Sequence, residues 1–160
     1  MAEVTETMIY EMAFRVRLYI ASKLSEDKRL NDLSEREALL LELVGTVGCL
    51  SISEIGNFYP KVSSSTISTT ITKLWKDKKL VDKKILPENQ RITTVNLTEK
   101  GRSVLEQIKQ NQSDVFKTVA SSLGLSVKQN ESFQNILEHA IGQFNEMLGL
   151  ELPEAVSVVA

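Results

Sequence analysis

A mainly α-helical fold carrying one small β-hairpin is predicted for this 160-residue chain by three observations. Apolar residues recur at helical spacing through most of the chain. Only between Val81 and Leu97 does the pattern change to short β-branched segments, Val81–Leu86 and Arg91–Leu97, separated by the turn-forming run Pro87-Glu88-Asn89-Gln90. Three Ser-x-x-Glu/Gln signatures mark helix starts, in which a hydroxyl and a carboxyl or amide oxygen each satisfy a free backbone N–H.

Each element follows in order. Residues 5–24 place Ile9, Met12, Ala13, Val16, Tyr19 and Ile20 on one helical stripe. The polar stretch 25–33 reads as a connection. Ser34 and Glu37 open a helix whose Leu39, Leu40, Leu41, Leu43, Val44 and Val47 are apolar almost all round, which predicts deep burial, with Gly45 and Gly48 at a frayed end. Ser51 and Glu54 open a short helix that Pro60 stops. The run Ser63–Lys73 is rich in Ser and Thr. Its Ile67, Ile71, Leu74 and Trp75 recur at helical spacing and would face the core, leaving Ser64, Ser65, Ser68, Thr69, Thr72 and Lys73 wholly or largely exposed. After the hairpin, Thr98 caps a long helix with Val104, Leu105, Ile108, Val115 and Val119 on one side. Ser126 and Gln129 open the last helix, whose Phe133, Ile136, Leu137, Ala140, Ile141, Phe144, Met147 and Leu148 form a wide apolar stripe. The segment 151–160, with Pro153, reads as a flexible tail.

Composition narrows the function. Apolar residues at 42% and charged residues at 25% are globular proportions. No apolar run is long enough to span a membrane. A single cysteine, Cys49, forbids an intrachain disulfide, and with no secretory pattern at the N-terminus a reducing cytoplasm is expected. Charge is unevenly spread. Residues 61–102 hold ten Lys/Arg and four acids, a net +6, within a chain of net −2. A basic centre between acidic flanks suits a polyanion. A solvated basic face has the same signature.

The order helix, short helix, helix, hairpin is that of a helix-turn-helix followed by a wing. The second helix of such a pair enters the major groove, where base edges present donors and acceptors. A reading helix needs an apolar back and short polar side chains in front, and the Ser63–Lys73 run has that form. Serine and threonine are weak helix formers, so a run of them on an exposed face has a cost that DNA contact would offset. Lys73, Lys76, Lys78 and Lys79 suit phosphate contacts.

The wing and the residues after it, Asn89-Gln90-Arg91, five residues, then Leu97-Thr98-x-x-Gly101, resemble the MarR family (multiple antibiotic resistance regulators). The family pattern is an acidic residue, any residue, arginine, five more, then Leu-Thr-x-x-Gly. Val62–Ile67 is similar to the start of the family's recognition helix. The resemblance implies that Arg91 reaches into the minor groove. It places DNA contacts at Ser63, Ser64, Ser65, Thr66, Ser68, Thr69, Thr72, Lys73, Lys76 and Arg91. It implies a winged helix-turn-helix over 33–100, and a helical dimerisation lobe built from 1–32 and 101–150. Ile9, Met12, Val16, Phe133, Ile136, Leu137, Ile141, Phe144 and Leu148 would meet a second copy. The width of the last stripe supports such an interface independently, since a small wing domain cannot cover it. The resemblance further implies a homodimer on double-stranded DNA with a pseudo-palindromic operator, a repressor's role, and a small aromatic effector bound between the lobes beside Tyr10, Phe14, Tyr19 and Leu43. Three positions depart from the family: Asn89 stands for the aspartate that braces the arginine, Thr69 for a common arginine, and Lys79 for a glycine in a turn one residue longer than usual.

No cofactor or metal is expected. His139 is the only histidine, read as a surface or interface residue, and Cys49 is read as a buried structural thiol. No nucleophile–base set or glycine-rich phosphate loop points to an enzyme. A winged-helix module that binds another protein is the alternative reading.

Overall fold

A computed structural model describes residues 2–24 and 32–150. Most of the expected connection at 25–33 and all of the expected tail at 151–160 lie outside the described residues.

The elements run α1 (Ala2–Leu24), α2 (Glu35–Val47), β1 (Leu50–Ser51), α3 (Ile52–Asn57), α4 (Ser64–Thr72), a single π turn (Lys73–Asp77), β2 (Val81–Leu86), β3 (Asn89–Leu97), α5 (Glu99–Ser122) and α6 (Val127–Leu148). The capping signatures act as expected. Ser34 Oγ accepts from the Glu37 N–H at 3.2 Å while Glu37 Oε2 accepts from the Ser34 N–H at 2.8 Å. Ser51 and Glu54 repeat the exchange at 3.1 and 2.7 Å. Gln129 Oε1 accepts from both the N–H and the hydroxyl of Ser126.

Three antiparallel strands lie in the order β1-β3-β2. Leu50 pairs with Val95 and Val81 with Leu97. The hairpin turn is tighter than the composition suggested: β3 begins at Asn89, leaving Pro87-Glu88 as the turn. The extra residues appear instead as an irregularity, with Ile85 opposite Thr93 and Leu86 opposite Asn89.

The core lies between α2, α3, α4 and the sheet. It is built from Leu40, Leu41, Val44, Leu50, Ile55, Ile67, Ile71, Leu74, Leu80, Val81 and Val95. Helix α2 is less enclosed than its composition predicts. Leu40, Leu41 and Val44 are buried, but Leu39 is exposed, because a 3.6-residue period turns it away from the other three. Gly45 is no frayed end. It sits inside α2, where a Cβ would come within 2.2 Å of Leu105 Cδ2, so its bareness lets α5 approach. Helix α5 buries Leu105, Ile108 and Val115 and contacts both α1 and α2. Trp75, expected in the core, stays partly exposed with Lys76 and Lys83 over its ring.

The chain between the π turn and α5 forms a knot. The turn after α4 opens with the π turn, where the Lys78 N–H donates to the Lys73 carbonyl at 3.1 Å and the Leu80 N–H to the Leu74 carbonyl at 2.8 Å. Lys79 takes the left-handed conformation, φ +57°, that glycine would fill more easily. Its carbonyl accepts from the Thr98 hydroxyl at 2.8 Å, and the same hydroxyl oxygen accepts from the Gly101 N–H at 2.9 Å. The Leu80 carbonyl accepts from the Thr98 N–H at 3.1 Å. A Cβ on Gly101 would lie 1.9 Å from that carbonyl oxygen. Lys78 Nζ donates to Glu37 Oε2 at 2.7 Å and to the Asp32 carbonyl. Burial pushes the Glu37 carboxyl upward, but hydrogen bonds from Lys78 and Ser34 and the Lys78 charge outweigh it, and the carboxyl ends below its ordinary 4.5.

Two outcomes follow from this knot. Gly101→Ala must move backbone rather than a flexible side chain, so it should destabilise the fold by about 3 kcal/mol. That corresponds to a fall in melting temperature of roughly 6–12 °C, read by calorimetry; a fall within error would show that the close approach is not enforced. Glu37 is depressed in the folded state, so its stabilisation is present above the ordinary glutamate range and is lost as pH falls through the lowered value. Glu37→Gln keeps the capping acceptor but loses the charge. Its urea midpoint should therefore fall less than that of the native chain between about pH 5 and about pH 3.

Candidate nucleic-acid interface

Helix α4 is held by its apolar back. Ile67 and Ile71, with Leu74 beyond, are buried. Ser63 caps it, its Oγ accepting from the Thr66 N–H at 3.2 Å and lying 2.8 Å from Thr66 Oγ1 and 3.1 Å from Ser65 Oγ. The Thr69 hydroxyl donates to the Ser65 carbonyl and that of Thr70 to the Thr66 carbonyl. These local bonds hold the hydroxyls in fixed directions while leaving the Thr69 and Thr70 oxygens able to accept again.

Exposure divides the expected contact residues. Ser63, Ser64, Ser65, Thr69, Lys73, Lys76 and Arg91 are exposed. Thr66, Ser68 and Thr72 are half-buried. For Ser68 and Thr72 this corrects the expected exposure: both sit on the flanks of α4, where the helix turns toward the core.

The helix forms one wall of a polar cleft. Ser65, Thr66, Thr69, Thr70 and Lys73 face Ser34, Arg36 and Glu37 of the α2 start across about 330 Å³. Thr70 and Arg36 were not singled out from the sequence. Thr70 lay within the hydroxyl-rich run and could have been, whereas Arg36 is remote from it in the chain and carried no local signal. A second groove, of about 710 Å³, separates the start of α3 (Ser51, Ile52, Ser53, Glu54) from the wing (Leu86, Arg91, Ile92, Thr93, Thr94).

At the wing tip Asn89 Oδ1 accepts from the Arg91 backbone N–H at 3.1 Å. Asparagine thus braces the backbone beneath the arginine, an Asx turn that needs an oxygen acceptor and no charge.

The basic segment is not uniformly available. Lys78, expected at phosphate, is turned inward to Glu37 and Asp32. Lys100 Nζ donates to the Lys78 carbonyl at 3.0 Å and Arg102 Nη1 to the Leu97 carbonyl at 3.2 Å. These three cations hold the knot together. Lys73, Lys76, Lys79 and Arg91 are exposed, as are Lys100 and Arg102 themselves.

The residues expected at a second copy's surface are mostly open in the single chain. Ile9, Ile136, Ile141 and Phe144 are each about 60% exposed, Met12, Leu137 and Leu148 somewhat less or similarly so, and Val16 and Phe133 half-buried. Of the residues expected at an effector, Tyr10, Phe14 and Tyr19 are exposed on α1 and Leu43 is half-buried at the edge of the core. Cys49 is exposed, which corrects the expectation of a buried thiol. It follows the α2 end at Gly48, φ +98°, where the chain turns outward before β1. His139 is exposed. Among the described residues no group of three His, Cys, Asp or Glu could hold a metal ion, and no helix is long and apolar enough to cross a membrane.

The family described as winged helix DNA-binding domain matches residues 33–101. No curated protein matches significantly. Solved structures do. A MarR family protein from Bacillus stearothermophilus superposes with a TM-score of 0.71 at 16% identity, over 90% of this chain and 95% of that one. A mutant MarR from E. coli complexed with operator DNA gives 0.59 at 17% identity, over 84% and 91%. Bordetella bronchiseptica BpsR, whose DNA binding is regulated by 6-hydroxynicotinic acid, gives 0.56 at 17%, over 82% and 91%. Residues 33–101 therefore match the winged helix DNA-binding domain family, and the chain as a whole has the fold of the MarR structures.

Proposed function

We propose that this chain is a MarR-family transcriptional regulator that binds double-stranded DNA in a sequence-specific manner as a homodimer. The observation that carries the reading is α4 itself: a helix pinned by Ile67, Ile71 and Leu74 that presents a row of hydroxyls and Lys73 outward, beside a wing tipped by Arg91. Such a helix fits a major groove, and the wing arginine an adjacent minor groove. The likeness to a structure complexed with operator DNA supports it.

A dimer is the state that would cover the apolar faces of α1 and α6. No residue of α6 is buried in the single chain, and an apolar face of that extent in water is unfavourable. Two-fold symmetry would set two α4 helices about one DNA turn apart, on a pseudo-palindromic site. The output we favour is repression in the cytoplasm, with no catalytic step. An aromatic effector held beside Tyr10, Phe14, Tyr19 and Leu43 would relieve it by preferring one spacing of the two reading helices. The likeness to BpsR supports that part of the reading.

Two experiments test these statements. Selection of genomic DNA fragments by the purified protein should return an inverted repeat. Arg91→Ala should weaken binding to it on the order of tenfold, and raising salt from about 50 to about 200 mM should weaken it by about 10³–10⁵ if roughly six to ten phosphates are contacted. No enrichment at low salt would sink the DNA reading. In parallel, Ile141→Asp with Phe144→Asp should convert a sedimenting dimer into a folded monomer that loses the inverted repeat. A dimer that survives both charges would place the interface elsewhere.

A further inference from the structure

Between the start of α2 and the exposed flank of α4 lies a cleft with hydroxyls on both walls and a cation on each: Arg36 from α2 and Lys73 from α4. Its one acid, Glu37, is already neutralised from within, since Lys78 Nζ sits 2.7 Å from its carboxylate. Arg36 and Lys73 have no such partner among the described residues. The cleft thus carries two uncompensated positive charges beside a helix whose other exposed side chains are neutral. Arg36 also acts on Tyr59, in the turn that leads into α4: burial pushes that phenol upward and the Arg36 charge opposes it.

We propose that this cleft is a seat for a backbone phosphate of duplex DNA, with Arg36 as a contact supplied from outside the helix-turn-helix pair and the wing. The proposal rests on the DNA-binding reading above and extends it to α2. A guanidinium presents a planar fork of donors that matches two phosphate oxygens. Lys73 supplies a second charge from the opposite wall, and Ser65 lies on the wall of α4 beside it. A cleft of about 330 Å³ is many times the roughly 30 Å³ share of one water, so the group can enter with its bridging oxygens. Such a contact holds register without reading sequence. Lys78 acts here indirectly: by neutralising Glu37 it removes the one charge that would repel a phosphate from the cleft.

The test is a salt titration of the full chain on random-sequence duplex DNA, followed by fluorescence anisotropy, for native protein, Arg36→Ala, Arg36→Lys and Arg91→Ala. Arg36 is exposed, so its substitution should leave the melting curve unchanged, and this is checked first. Each lost phosphate contact lowers the slope of log affinity against log salt by about 0.9. Arg36→Ala should therefore flatten the slope by about 1.8 in a dimer and weaken binding several-fold at fixed salt. Arg36→Lys should restore most of the slope. The ratio between a selected operator and random DNA should stay as in the native protein for Arg36→Ala. If Arg36→Ala keeps the native slope while Arg91→Ala weakens binding, the phosphate seat is wrong and the DNA reading stands. If the native protein shows no salt-dependent binding, both fall together. A changed operator preference with an unchanged slope would make Arg36 a base reader and overturn the proposal.

Discussion

The structure depends most on the contact between the first turn of α5 and the carbonyl of Leu80. Gly101 has no side chain there because nothing could fit. That one approach joins the end of the α4 segment, the start of the wing and the root of the long helix. The hydroxyl of Thr98, which caps α5, also donates to Lys79, and the Lys100 ammonium donates to Lys78. A displacement of α5 is therefore carried directly into the turn that ends α4. Packed contacts of this kind deform little and transmit strain, so the geometry of α5 and that of α4 are mechanically one.

The same knot explains how the basic segment divides its work. Lys78 is turned inward onto an acid, whereas Lys100 and Arg102 donate to backbone carbonyls and stay exposed. The charges left on the surface flank α4 and the wing. A residue-by-residue sum over 61–102 overstates the field that faces a partner, because a cation 2.7 Å from a carboxylate contributes almost nothing at a distance. The inward pairing also lowers the Glu37 carboxyl, so that near neutral pH the acid stays ionised and paired.

The two lobes are unequally self-sufficient. The domain around α2, α3, α4 and the sheet encloses a continuous core of eleven buried residues. Helices α1 and α6 leave most of their apolar side chains in water, and α6 buries none. Stability of the first lobe is internal. The second has the composition of half an interface, which is the physical basis for reading the protein as a dimer.

Much of this was legible from the sequence, because the forces concerned are local. Capping exchanges at Ser34 and Ser51, and the one-way cap at Thr98, join residues three apart, and a helical stripe such as Ile67, Ile71 and Leu74 needs only the period of the helix. The wing motif also lies within a few residues of itself, which is why the fold and Arg91's place at the wing tip could be read directly. That the chain makes a π turn between α4 and β2 was not legible from the sequence. What only the tertiary structure decided are the long-range pairings. Lys78 meets Glu37 across 41 positions, Arg36 lines a cleft with α4, Gly45 makes room for Leu105, Trp75 lies under two lysines, and Cys49 faces outward. No local pattern encodes these, because which charge is neutralised and which side chain is covered depends on segments that meet only when the chain closes.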